Sequence, residues 1–171
     1  PAPKGTALPL EIEQVLTNWD RIHHSSDRTL DTSELPTVLM GQALQQQQTG
    51  LENLRKGCCY WEFTDLEPAV TLAWQQISDT EVQVDMQKHW DAKLYCKGKF
   101  SAKDSFSDPF RMRYRLLLTD QWRITEKKVL EDGEPAATAT PKPGVGDNQL
   151  RSNLLNKSQR SGVPTGHGAQ V

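Results

Sequence analysis

The chain is short of cysteine, of long apolar runs and of net charge, and it has no aromatic residue beyond Glu131. Each shortage excludes something. Three cysteines, two of them adjacent at Cys58 and Cys59, do not make a disulfide framework, and no CxxC pair is present to hold zinc. Small buried or half-buried thiols are the expectation. No apolar run approaches the roughly 18–20 residues of a membrane-spanning helix, and no signal-peptide pattern opens the chain. A net charge of −2, with 25% charged residues, removes any global pull toward nucleic acid or an anionic membrane. HExxH, glycine-rich phosphate loops and nucleophile elbows are missing from the sequence. His23 and His24 are neighbours, so on a helix they point about 100° apart and cannot chelate together. His89 falls on a strand and His167 in the tail. No metal site and no cofactor are expected. The first residue is Pro1 rather than Met, so a processed form or a piece of a longer chain is expected, with any membrane attachment through an upstream segment.

What is present is a long alternation. Val82, Val84, Met86, Lys88, Trp90, Ala92, Leu94 and Cys96 alternate with Gln83, Asp85, Gln87, His89, Asp91, Lys93 and Tyr95. Strand side chains point to opposite faces with period two, so one face is apolar and the other polar. A second run sets Phe110, Met112, Tyr114, Leu116 and Leu118 against Arg111, Arg113 and Arg115.

Residues 1–8 read as linker. A helix is predicted from Pro9 to about Ser25–Asp27, with Ile12, Val15, Leu16, Trp19 and Ile22 on one face. A second helical stretch starts near Thr32 or Ser33, with Gly41 as a break and Gly57 as the stop. Strands are predicted at 58–64, 69–77, 81–97, 110–119 and 121–130, with hairpin turns at Asp79-Thr80 and Asp120-Gln121 and a longer connection at Ser101–Pro109. Residues 132–171 have few large apolar side chains and read as a disordered tail.

Helices first and a meandering sheet after them imply an α+β domain over residues 9–131, with the helices packed on one sheet face. The run Glu81–Lys97 would span roughly 55 Å if extended, far beyond an ordinary strand, so the sheet must bend into a cone. Lys88, the single charge on the apolar face, is the expected bulge.

The order of elements resembles the cone-shaped fold of nuclear transport factor two. More narrowly, Trp19, Tyr60-Trp61-Glu62-Phe63, Arg113-Tyr114-Arg115-Leu116 and Trp122-Arg123-Ile124 resemble the C-terminal domain of plastid and cyanobacterial division proteins of the accumulation-and-replication-of-chloroplasts type. The resemblance spans about residues 10–130. Lys88-His89-Trp90 departs from it, where a carboxylate and small residues would be expected, and the tail has no counterpart. The resemblance implies a membrane-associated parent protein and a periplasmic or intermembrane-space position, with the cytoplasm as the alternative. It implies a protein partner, a peptide or terminus of a membrane division protein, and no nucleic acid.

On the apolar strand faces only Lys88, Cys96 and Tyr114 titrate, which argues against catalysis; Tyr114 with His23 would be the enzyme's best pair. The expectation is therefore a non-catalytic interaction domain with an apolar pocket. Its partner-binding candidates are Trp61, Trp74, Trp90, Tyr95 and Tyr114, which offer contact area with a polar tip, and the row Arg111, Arg113 and Arg115. That row reads equally as a solvated face paired with Asp85, Asp91 or Glu126. Alternatives are an accessory or sensory domain of another membrane protein, such as a kinase, and an isomerase-like enzyme or ligand carrier.

Overall fold

The computed structural model describes residues 7–134 of the 171-residue chain. The expected linker, except its last two residues, and the tail beyond residue 134 lie outside the described residues. Helix α1 (Leu10–Thr29) is followed by a 3-10 turn at Leu35–Thr37, helix α2 (Gly41–Lys56), and strands β1 (Cys59–Ser78), β2 (Glu81–Cys96), β3 (Lys99–Phe106), β4 (Phe110–Leu118) and β5 (Trp122–Leu130). The five strands form one antiparallel sheet in the order β1-β2-β4-β5, with β3 paired to the far half of β2. This is the expected α+β architecture, with both helices on one face of a curled sheet.

The apolar stripe of α1 (Ile12, Leu16, Trp19 and Ile22) is buried against Val82, Val84 and Met86 of β2, Tyr114 and Leu116 of β4, and Ile124 of β5. Ala43, Leu51 and Leu54 of α2 close the same core. Gly41 takes the left-handed conformation, φ +54°, and divides the predicted second helix into the 3-10 turn and α2. At the end of α2 the left-handed residue is Cys58, φ +55°, not Gly57. The segment 38–40 lies along β5, with Ile124 N donating to Val38 O and Met40 N to Ile124 O. That edge of the sheet is covered, whereas β1, at the other edge, pairs with β2 alone among the described residues.

The bend has a different cause from the one expected. From Glu81 to Lys88, β2 pairs without interruption with β4. The irregularities of the β1–β2 pairing are all in β1, whose 20 residues pair with the 16 of β2. Its four extra residues are absorbed at four register shifts, which leave Leu66, Leu72 and Ile77 between paired neighbours. A strand that is longer than its partner must curl around it, so β1 is the outer rail of the cone. Lys88 lies opposite the shift between Glu67 and Val70, where β2 leaves β4 and approaches its pairing with β3. It marks the bend but does not bulge. This also explains why two predicted strands, 58–64 and 69–77, are one.

Two further differences concern the end of the cone. The predicted connection at Ser101–Pro109 mostly belongs to β3. Its Ser101-Ala102-Lys103-Asp104-Ser105 stretch loops out of register, closed by Ser101–Asp104 and Ser105–Ser101 hydrogen bonds, so no alternation announces it. Cys59 and Cys96 are not thiols. They face each other at the first β1–β2 pair and form a disulfide, leaving Cys58 as the free, exposed cysteine. The link closes a sequence separation of 37 residues. In the chain-entropy account a loop of that size contributes about 3–4 kcal/mol. Urea unfolding of a Cys59→Ser/Cys96→Ser variant should show a loss of about that size, and reductant should bring the parent protein to the same midpoint; a parent curve that does not respond to reductant would count against the link.

Candidate functional site

On the inward face at the bend, Lys88 is 1% exposed and forms an ion pair with Asp20 of α1. Its ammonium stands 4.9 Å from the Tyr114 ring and 5.2 Å from the Trp90 ring. Burial alone pulls a lysine down, but here the Tyr114 oxygen and the Asp20 carboxylate outweigh it and hold Lys88 above its ordinary value. Burial pushes Tyr114 up, so its hydroxyl stays protonated at neutral pH and Asp20 supplies the counter-charge. A second polar chain crosses the same face. Lys127 donates to Gln47, Gln47 to Asp27, and Asp27 stands 3.2 Å from His23 Nε2. The inward side therefore carries more acids and bases than the strands predicted, because α1 and β5 supply them at positions that strand alternation does not reveal.

Beyond Lys88 the inward face carries an aromatic cluster, called here the mouth. His24 stacks on Phe63 at 5.1 Å and meets the edge of Trp90 at 4.8 Å. His23 stacks on Trp19 at 4.8 Å. Phe63 stacks on Trp61, Trp90 meets Phe110, and Phe110 meets Phe106, at 5.0–5.9 Å. Trp90 is buried, whereas Trp61, Phe63, Phe106 and Phe110 are half-buried and form the rim. His23 Nδ1 and His24 Nε2 have no hydrogen-bond partner at this mouth. Burial, followed by the neighbouring His23, lowers the His24 pKa, so the ring is neutral at physiological pH.

The eight candidate residues are thus divided among four places. Trp61 and Trp90 belong to the mouth. Tyr114 lies in the core beneath it, and Trp74, paired with Val84, packs farther along the inward face. Tyr95 and the three arginines face outward. Arg113 holds Asp85 through two bonds of 2.8 and 2.9 Å, Arg115 pairs with Glu81 at 3.1 Å, and Arg111 donates to the carbonyls of Glu131 and Glu134. The row is engaged within the domain, on Asp85 as anticipated but on Glu81 rather than Asp91, which pairs with Lys93. Phe106, Phe110 and His24 were not legible as mouth residues: the first sits after an irregular loop, the second opens a strand, and His24 is one residue off the apolar stripe of α1.

The chain carries the pattern of a known domain in the same span as this cone. The family model described as ARC6-like, IMS domain matches residues 13–125. The chain belongs to this ARC6-like family. A solved structure of the intermembrane space region of the chloroplast protein ARC6 superposes with a TM-score of 0.64 at 18% identity, covering 73% of this chain and 98% of that one, which establishes a shared fold. A point variant of Rv3472, a protein of unknown function from Mycobacterium tuberculosis, aligns at a TM-score of 0.43 and 12% identity, over 90% of each chain, too low to argue from. No curated protein matches. Among the described residues of this ARC6-like domain, no helix is long and apolar enough to cross a membrane.

The Lys88–Asp20 pair and the half-buried His24 generate two predictions. Asp20→Asn leaves the Lys88 ammonium uncompensated inside the cone and should cost about 3–5 kcal/mol in urea unfolding, whereas Lys88→Met with Asp20→Leu should lie much nearer the parent. Equal losses in the two variants would contradict the pairing. Because the His24 pKa is lowered in the folded state, the unfolded chain binds the extra proton first. Stability is then full above the unfolded value near 6.5 and falls as pH drops below it. His24→Phe should flatten that slope between about pH 7 and pH 5, read as the unfolding midpoint against pH.

Proposed function

We propose that this ARC6-like domain is a non-catalytic protein-interaction module of a membrane-associated division protein, and that its aromatic mouth seats a peptide or terminus of a partner. The observation that carries the reading is the half-buried rim of Trp61, Phe63, Phe106 and Phe110 around the buried Trp90. Rings of this kind supply contact area at low entropic cost. The solved relative is the intermembrane space region of a chloroplast protein, which supports a position outside the stroma or cytosol for this domain. The Cys59–Cys96 disulfide supports the same side, since such links persist in oxidising compartments.

An enzyme on this cone would use His23, which Asp27 orients as a base is oriented, but the ring is enclosed by Trp19, Phe63 and Trp90 at 4.8–5.4 Å. That packing favours a docking role over turnover of a substrate.

Calorimetric titration with synthetic tails of membrane division proteins tests the reading. A tail that binds should lose about tenfold or more in affinity with Trp61→Ala or Phe63→Ala, as hot-spot rings do. Undiminished binding in both variants would remove the mouth as the site.

A further inference from the structure

The opposite, outward face of the sheet carries a feature that the mouth does not use. Tyr60, Tyr95 and Phe100 are directly opposed on β1, β2 and β3. Tyr60 and Tyr95 stack nearly parallel at 5.3 Å, and Tyr95 meets Phe100 at 5.7 Å. The two tyrosines are half-buried by this stacking, and Phe100 is 52% exposed. Three rings thus form a row across three strands, next to the turn that closes the β2–β3 hairpin. Lys97 and Gly98 of that turn both have positive φ, +52° and +74°, as a tight two-residue hairpin requires. The Lys97 amide donates to Cys58 O at 2.8 Å, which brings the end of α2 to the same tip.

At the hairpin tip the charges are of one sign, whereas Glu62 and Asp91 stand beside Lys93 at the other side of the row. Lys56, Lys97, Lys99 and Lys103 are exposed and make no ion pair among the described residues. Lys93, on the other side of the row, is already matched by Asp91. In a chain of net charge −2, a pole of uncompensated lysines is a local choice and not a consequence of composition.

Resting on the reading of this domain as an interaction module, we infer that the Tyr60–Tyr95–Phe100 row is a second docking face, and that its occupant is an acidic, extended segment of a protein partner carrying a proline or aromatic side chain. The rings supply a flat apolar platform for that side chain, and the lysines at the hairpin tip meet its carboxylates. A lipid surface fits less well: two of the three rings lie stacked along the sheet and do not protrude. Single-stranded nucleic acid would stack on the rings, but it needs a cationic groove along its backbone, and here the lysines are confined to one end.

The test uses the whole chain and a fluorescein-labelled peptide of Glu and Asp around a central Tyr-Pro, followed by anisotropy. The same peptide with Lys in place of the acids, oligothymidylate and phosphatidylglycerol vesicles form the other arms. The acidic peptide should bind and weaken with added salt. It should lose about fivefold or more with Phe100→Ala and again with Lys97→Glu/Lys99→Glu, both at exposed positions, while Trp61→Ala leaves it unchanged. Equal binding of acidic and basic peptides, no binding, insensitivity to Phe100→Ala, or tighter binding to the oligonucleotide or vesicles would overturn the inference. Mouth-directed tails that bind the parent chain while the acidic peptide does not would show that the second face failed while the interaction module stands; an acidic peptide that binds in the Phe100-dependent way while no tail binds would show the reverse.

Discussion

An ammonium group withheld from water must be matched by a carboxylate, and in this domain that requirement sets the position of α1. Lys88 is sealed at the bend of the sheet, and Asp20 is its counter-ion. The pair fixes the rotation and height of α1 on the concave face in a way that apolar packing, which tolerates sliding, does not. With α1 so placed, Trp19 comes against Tyr114 and Lys127, and His23 and His24 reach the rings at the mouth. The departure from the family resemblance at Lys88-His89-Trp90 is therefore coupled to a matching acid on α1, 68 residues earlier in the chain.

The curvature that creates a concave side comes from a mismatch in length between two paired strands. Four extra residues in β1 curl it around β2, and a disulfide at one end prevents the mismatch from being released by slippage. The same bulges break the flat outer edge of β1 that would otherwise invite pairing with another chain, and Pro68 removes one amide from it. Curvature and edge protection thus follow from one device. The covered face becomes core and mouth; the open face becomes a surface of ion pairs with an aromatic row at its end.

Much of the fold was legible. Period-two runs marked β2 and β4, and period 3.6 marked α1, because half-buried elements must alternate to satisfy one core and one solvent side. The α+β order and the need for a bend followed from lengths alone. What escaped were features without a period. β3 is irregular, so it read as a loop. The bulges of β1 read as a gap between two strands. The disulfide was invisible because two cysteines 37 positions apart carry no local sign that register will oppose them.

The candidate site was legible in part. Trp61 and Trp90 were recognisable as inward-facing aromatics and His23 as a helix residue within reach of the interior, but the rest of their company and its placement were not. Asp20, His23, His24 and Asp27 come from a helix whose facing depends on the Lys88 pair, and Phe106 comes from a strand that gave no pattern. Local alternation and periodicity determined that one face of each element would be apolar, since that depends only on which side chains follow one another. Which polar groups would share that interior, and whether the arginine row would be free or engaged, depended on register between distant strands and on the seating of one helix. Only the tertiary structure decides those distances, because Coulombic and hydrogen-bonding partners are chosen by position in space and not by spacing along the chain.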